Sequence, residues 1–286
     1  MKHVFLIKPD AKTYDDHPFV KTIHEVMAGY DYEICFSEYK DHVKEIIARY
    51  PEKTRFYSVG GDGFLNQIIQ CLVHTKHEVV CLPFGTGNDF SRTIHYYDSP
   101  EKILRETLSH EATPVDTVLV NASRYFVNVG CFGIDALIAN TVHEKTSFKV
   151  PRKRAYLVSV LKNIRRYSFV NVKVETKDGV IYDDRVSLCA FCNGRYYGGG
   201  FEISPKSYIN DGMIDLVILP KVSRAKAPYY AYKILKKKLG ECEEVIVKQV
   251  KECTVSTPAS MNLDGEIETA SCYHLKIVPN SLNLVL

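Results

Sequence analysis

Over its first 120 residues the chain alternates short apolar runs with segments of helical period, and this alternation constrains the fold more than any other feature. Val4 to Ile7, Tyr32 to Phe36, Phe56 to Val59 and Val79 to Leu82 read as buried strands. Phe19 to Gly29, the segment DHVKEIIARY with Asp41 as its N-cap, and Leu65 to Val73 read as the helices between them. Such alternation builds a parallel sheet sandwiched by helices. Ligands of these sheets sit beyond the carboxyl ends of the strands. Two of the strands run at that end into glycine-rich turns, Gly60-Gly61-Asp62-Gly63 and Pro83-Phe84-Gly85-Thr86-Gly87-Asn88-Asp89.

From about residue 115 the rhythm changes. VDTVLVNA, YFVNVGCF, FVNVKVET, VIYDDRVSLCAFCN, MIDLVIL and EEVIVKQV are strand-like, and one helical segment, Arg154 to Arg166, interrupts them. Many strands with few helices predict a β-sandwich. A length of 286 residues, at roughly 150 per domain, suits two domains. The expected fold class is α/β plus β. Residues 1–115, joined by a C-terminal strand at about 275–286, form a parallel-sheet α/β domain, and residues 116–274 form the sandwich. The C-terminal strand is assigned to the first domain because otherwise the segment Asp264-Gly265-Glu266 would lie far from the glycine turns.

Composition excludes several functions. The 37 basic and 34 acidic residues leave a net charge of +3, too balanced for a dedicated nucleic-acid binder. Nine cysteines, odd in number and scattered, suit free thiols in a reducing cytoplasm. Cys189 and Cys192 have C-x-x-C spacing but lie in an apolar strand-like run without a second pair, which favours buried thiols over zinc. The opening MKHVFLIKPDAK meets charge at Lys8, too early for a signal peptide. No apolar run reaches the roughly 18 residues of a spanning helix. The basic residues are uneven: 145–166 and 221–240 carry Lys and Arg without one acid. Such runs suit either a solvated face or an anionic membrane surface.

The glycine turns carry the chemistry. Gly-Gly-Asp-Gly after a strand offers backbone N–H groups that an anion can approach with no Cβ in the way, and the following helix points its positive end there. The second turn repeats this and adds Thr86, Asn88 and Asp89. The Walker pattern and G-x-G-x-x-G are both absent, so a phosphate site of another kind is indicated. Asp264-Gly265-Glu266 places two carboxylates around a flexible residue; it also reads as a tight hairpin turn.

These two turns resemble the diacylglycerol kinase catalytic domain in its soluble bacterial lipid-kinase form. The resemblance extends through Asn128-Val129-Gly130, Asp135, Asn193, Gly198-Gly199-Gly200 and Ile203-Ser204-Pro205, then through Asn210-Asp211-Gly212-Met213-Ile214-Asp215 to Leu263-Asp264-Gly265-Glu266. It covers nearly the whole chain in the family's order. The glycine turns alone would also fit sphingosine, ceramide or NAD kinases, and the later motifs favour the bacterial lipid kinases.

The resemblance implies an ATP- and magnesium-dependent kinase for a lipid hydroxyl, most readily diacylglycerol to phosphatidic acid. The alternatives are another lipid alcohol, such as a sphingoid base or phosphatidylglycerol, and a weakly active nucleotide-binding lipid sensor. It implies that ATP lies between the domains, lined by Lys8, Pro9, Asp10, Ala11, Lys12 and Ser37. Its phosphates would lie over Gly60, Gly61, Asp62, Gly63, Phe64, Leu65 and Asn66, near Thr86, Asn88 and Asp89. Asp264 or Glu266 would be the general base, with Asp62 and Asp89 organising magnesium on the phosphates. A structural magnesium would take the Asp211 carboxylate and the backbone carbonyls of Tyr208 and Met213, with Asp116 in the polar network around it. The chain departs from the family pattern at Lys8 (for Asn), Phe64 (for Thr) and Gln67 (for Glu). Losing the threonine hydroxyl removes a contact to a charged group worth about 1.5–3 kcal/mol; Lys8 offers a compensating cation. The implied location is cytoplasmic and peripheral at the inner membrane face. The partners would be a lipid substrate and an anionic membrane surface, with no nucleic acid; a homodimer is compatible with the sequence.

Overall fold

The computed structural model describes residues 1–8, 17–39, 41–95, 98–133 and 169–286. Pro9, Asp10, Ala11, Lys12, Asp135, the helix expected at 154–166 and the basic run at 145–166 lie outside the described residues.

The chain opens with β1 (Lys2–Ile7), α1 (Val20–Val26), β2 (Tyr32–Phe36), α2 (His42–Ile47), β3 (Thr54–Gly60), α3 (Asp62–Leu72), β4 (Glu78–Pro83), α4 (Asp89–His95) and α5 (Pro100–Thr107). The four strands form a parallel sheet in the order β2-β1-β3-β4. Alternate side chains of each strand enter opposite cores. Val4, Leu6 and Phe56 pack with Ile46, Leu65 and Ile68 on one face. Phe5, Ile7, Tyr57 and Val59 pack with Ile23 and Ile103 on the other. Burial on both faces explains why β1 and β4 read as unbroken apolar runs at VFLI and VVCL, and β3 as one broken only by Ser58. The α5 helix, which the sequence reading did not identify, is capped by Ser99, whose hydroxyl accepts the Lys102 N–H at 3.2 Å. Asp41 does not cap α2 through its side chain; it sits at φ +69°, and only its carbonyl accepts, from Lys44 N–H.

The chain continues with β5 (Ala112–Val120), β6 (Arg124–Phe126), β7 (Val129–Gly133), β8 (Val170–Thr176), β9 (Gly179–Cys192), β10 (Tyr196–Tyr197) and β11 (Phe201–Glu202). It ends with β12 (Ile214–Pro220), α6 (Ala227–Leu235), β13 (Ile246–Val250), β14 (Glu252–Ser256), β15 (Met261–Leu263), β16 (Glu266–Glu268) and β17 (Cys272–Val285). The architecture is an N-terminal parallel α/β domain followed by a β-sandwich-like domain. Two long strands tie it together. β9 pairs with β8 over its first half and with β7 and β12 over its second. β17 pairs with β14 near Cys272 and then, past an irregularity between Val278 and Leu282, lies parallel to β4 at Asn283 and Leu284. The sandwich core gathers Val118, Phe126, Phe132, Phe191, Leu216 and Tyr273.

Two segments differ from the sequence reading. YFVNVGCF is not one strand: it breaks at Val127 and Asn128, for a reason found in the site below. The basic stretch 221–240 holds the α6 helix. All nine cysteines are free, and Cys189 and Cys192 are buried in β9.

Candidate active site

Lys8, Ser37, Gly60 and Pro83 stand at or just past the carboxyl ends of the four parallel strands, the edge where this architecture places ligands. Lys8 is exposed, and its N–H donates to Val59 O. Ser37 is buried, with its N–H on Ile7 O. From this edge the two glycine turns rise side by side.

The turns touch through their backbones. A Cβ on Gly61 would come within 3.0 Å of Gly85 Cα, and one on Gly85 would overlap Gly61 and stand 2.8 Å from Asn88 Oδ1. Asn88, at φ +54°, clamps its own turn: its Oδ1 accepts Gly85 N–H and its Nδ2 donates to Gly85 O, both at 2.8 Å. Asp62 binds the second turn to the first by accepting the N–H groups of Asp89 (3.1 Å) and Phe90 (3.0 Å) at the start of α4. A carboxylate on those N–H groups satisfies donors that a helix start leaves open. Asp89 in turn accepts the Gly199 N–H from the β10–β11 hairpin at 2.9 Å and the Arg92 guanidinium at 3.1 Å. Arg92 also donates to Gly87 O.

Several glycine-turn residues differ from the expectation. Phe64 and Leu65 point away from the edge, into the core with Val4, Leu6 and Phe56, and their N–H groups both go to Gly61 O. Gly60 is a glycine because a Cβ there would sit 2.7 Å from the Phe64 ring. The position that has threonine in the family pattern therefore faces the core here. Thr86 is exposed on the second turn.

The Asp264-Gly265 pair forms the two-residue turn of the β15–β16 hairpin, both residues at positive φ (+50° and +99°), so hairpin and site are one structure. The Asp264 carboxylate is buried in a cradle of backbone donors. Val127 N–H and Val129 N–H reach it at 2.8 Å, Asn128 N–H at 3.2 Å, and the Asn66 side-chain amide at 3.4 Å. This cradle explains the break in YFVNVGCF, because successive N–H groups can converge on one carboxylate only if the strand leaves its ladder. Asn66 also donates to Tyr125 O, and Gln70 bonds both Asn66 and Tyr125. The Glu266 side chain reaches the first glycine turn: its Oε1 lies 3.4 Å from where a Cβ on Gly63 would be.

Three carboxylates thus crowd the junction, and their titration reflects it. Burial raises Asp62 above its usual range. Burial, and then the charge of Asp62, raise Asp89 to about 7. Burial raises Asp264 to about 6, against the downward pull of the Val127 and Val129 N–H groups, with the Asp62 charge pushing further up. Carboxyls displaced in this way by burial and by one another are a common mark of a functional site.

The loop at 208–213 folds onto Asp116. That buried carboxylate accepts Gly212 N–H at 2.7 Å and Asn280 N–H at 2.9 Å. Asp211 is exposed and accepts Met213 N–H at 3.0 Å. Burial raises Asp211, and the negative charges of Asp215 and Asp116 raise it further. Tyr208 is exposed, with the Arg195 guanidinium 5.1 Å from its ring centroid. The local surplus of carboxylate charge from Asp116, Asp211 and Asp215 suits a hard, oxygen-preferring cation. Among the described residues no three His, Cys, Asp or Glu side chains form a metal cluster.

The sequence reading did not single out Arg92 or the N–H groups of 127–129. Arg92 was recoverable, since it follows Asp89 at helical i, i+3 spacing. The cradle was not, because alternation continues through it.

A parallel α/β domain with paired glycine turns, set against a β-sandwich that delivers a carboxylate hairpin, has the parts that phosphoryl transfer to a hydroxyl needs: backbone donors for a phosphate and a carboxylate that reaches them. Residues 2–120 match the diacylglycerol kinase catalytic domain, and residues 128–286 match the YegS C-terminal NAD kinase beta sandwich-like domain. The chain belongs to this family of lipid kinases, which implies ATP as phosphoryl donor. It is 27% identical over 241 residues to a protein of Xanthomonas oryzae pv. oryzae named "Probable lipid kinase YegS-like", covering 80% of this chain and 77% of that protein. To the Escherichia coli protein named "Probable lipid kinase YegS" it is 25% identical over 252 residues, covering 82% and 81%. A crystal structure of a diacylglycerol kinase from Bacillus anthracis shares the fold at TM-score 0.76 and 20% identity, covering 99% of this chain and 96% of that one. An NAD kinase from Archaeoglobus fulgidus shares it at TM-score 0.56 and 12% identity, covering 100% and 94%.

Proposed function

We propose that this lipid kinase phosphorylates the hydroxyl of diacylglycerol, giving phosphatidic acid, with magnesium on the nucleotide. The observation that carries this reading is the approach of Glu266 to Gly63, which brings a carboxylate from the sandwich to the mouth of the first glycine turn. ATP would place its phosphates over Gly61 to Gly63 and beside Thr86 and Asn88, with Lys8 and Ser37 at the same sheet edge. The side chains of Phe64 and Leu65 take no part, and Asn66 acts by orienting Asp264. Asp62 and Asp89, whose oxygens are taken by the Asp89, Phe90 and Gly199 N–H groups and by Arg92, would act by holding the two turns in place beside the magnesium, which would supply charge neutralisation on the phosphates.

Within this arrangement the two hairpin acids divide the work. Asp264 has both oxygens taken by backbone donors, so it is a positioning residue that fixes the hairpin against Asn66. Glu266 is the base: it accepts the proton of the lipid hydroxyl as that oxygen bonds to the γ-phosphorus and the bond to the β-phosphate oxygen breaks. A second magnesium, at Asp211 with the carbonyls of Tyr208 and Met213, would brace the loop that Asp116 ties to β17.

The test is transfer of labelled γ-phosphate from ATP in mixed micelles to diacylglycerol, monoacylglycerol, phosphatidylglycerol and sphingosine in parallel. Labelled phosphatidic acid as the main product supports the reading. Preferential labelling of another lipid keeps the mechanism and overturns the substrate. ATP binding without transfer to any lipid favours a nucleotide-binding lipid sensor.

A further inference from the structure

The α6 helix presents an outward stripe made of two residue types. Tyr229, Tyr232, Lys233 and Lys236 follow the spacing i, i+3, i+4, i+7 and share one face. Tyr229 and Tyr232 are 48% and 55% exposed. The Lys233 ammonium lies 5.5 Å from the Tyr229 ring centroid, and that of Lys236 5.8 Å from the Tyr232 centroid. Lys226, Lys237 and Lys238, at the margins of the helix, pair with Glu244, Glu202 and Glu241. Among the described residues neither Lys233 nor Lys236 makes an ion pair. The opposite face is apolar: Tyr230 is buried beside Leu239 and Cys242, with Ile234 and Leu235 packed against them.

A tyrosine, apolar in its ring and polar at its hydroxyl, is best placed where an apolar phase meets water; the Tyr229 hydroxyl also lies 4.0 Å from the Cys242 thiol. A lysine running along such a ring holds its charge outward on a hydrocarbon stem. Together on one helical stripe without acids, they match the composition of helices that lie in a lipid–water boundary. Their positive charge complements anionic headgroups.

We propose that the Tyr229–Lys236 stripe of α6 docks on an anionic lipid bilayer, with its tyrosines at headgroup level and its lysines against anionic headgroups. The proposal rests on the reading that the acceptor is a lipid held in a membrane. It also gives the docked helix a short route to the chemistry. Lys237, just past α6, pairs with Glu202 at 2.6 Å and lies 5.7 Å from the Tyr196 ring centroid, on the two strands of the β10–β11 hairpin. Tyr197 and Phe201 of that hairpin share the apolar cluster of Tyr230. The hairpin's tip donates the Gly199 N–H to Asp89. A bilayer under α6 therefore lies one hairpin away from the phosphate turns.

The test is co-sedimentation of the full chain with vesicles of phosphatidylcholine alone or mixed with phosphatidylglycerol. The variants are Lys233→Gln/Lys236→Gln and Tyr229→Ser/Tyr232→Ser, with circular dichroism as the folding control. Wild type should favour the anionic vesicles. At about fivefold in partitioning per surface lysine, the double lysine variant should lose about 30-fold. The tyrosine variant should bind both vesicle types less well. Turnover on a short-chain, water-soluble diacylglycerol should be unchanged in both. Vesicle binding equal to wild type in both variants would overturn the proposal. So would a change in self-association by analytical ultracentrifugation with vesicle binding intact, since the stripe would then be an interface between copies. If wild type labels no lipid alcohol, the diacylglycerol reading falls, while the vesicle measurement still decides whether α6 docks.

Discussion

Replacing Asp264 by asparagine separates the charge of that side chain from its shape. The folded carboxyl titrates at about 6, against 3.8 for an unperturbed one. The folded chain therefore binds this proton more tightly than the unfolded chain does. The resulting contribution to stability is fully present below the unfolded value, declines as pH rises, and is lost above the folded value. At about 1.4 kcal/mol per pH unit, the interval amounts to ~3 kcal/mol. Asparagine has no such dependence. It has a cost of its own, because an amide offers one acceptor where the Val127, Asn128 and Val129 N–H groups need more. A buried donor left without a partner costs about 1–3 kcal/mol, largely independent of pH. Urea unfolding of both proteins from about pH 3 to about pH 7.5 should show wild type ahead by most at the acid end, with the gap narrowing by ~3 kcal/mol. Contributions common to both proteins cancel in that difference. A gap that stays constant across the range would refute the argument, since it would mean that the buried carboxyl ionises at its ordinary value.

Other consequences follow from the same contacts. Phe64→Thr, which restores the family residue, should destabilise the chain by about 3 kcal/mol in thermal or urea unfolding, through a cavity against Gly60. It should leave ATP affinity by calorimetry unchanged. Gly85→Ala should force the two turns apart, cost about 1–3 kcal/mol and raise the KM for ATP. Asp211→Asn should abolish the rise in Tm that magnesium gives wild type, read by calorimetric scanning in the absence of nucleotide; a retained rise would place the cation elsewhere.

How far these features could be read from sequence depended on whether the signal was local. β1, β3 and β4 were legible because burial on both faces leaves runs that are apolar throughout, as in VFLI and VVCL, or broken only by the small Ser58, as in FYSV. The glycine turns were legible as a pair, but the reason for each glycine was not. Gly60 accommodates the Phe64 ring once α3 turns back on the end of β3, and Gly61 and Gly85 accommodate each other only once β3 and β4 are paired. The Phe64 substitution looked like a lost phosphate ligand in sequence and proves to be core packing, because the first turn of α3 rotates that position inward. The Asp264 cradle was hidden for a similar reason. VNV continues the alternation of its neighbours, and only a carboxylate from 136 residues further on, counted from Asn128, makes the strand break. The tyrosine–lysine stripe needed the helix: as sequence, 221–240 was a basic run, and only the 3.6-residue turn places Tyr229, Tyr232, Lys233 and Lys236 on one face.

The central claim is that the sandwich hairpin brings the base, Glu266, to an ATP held on the glycine turns. It is tested most directly by a single-turnover transfer of labelled γ-phosphate to diacylglycerol, by wild type and Glu266→Gln, at saturating ATP and magnesium. The account predicts labelled phosphatidic acid from wild type, a rate lower by about 10²- to 10⁴-fold in the variant, and the same ATP affinity in both. Equal transfer rates for the two proteins would contradict it.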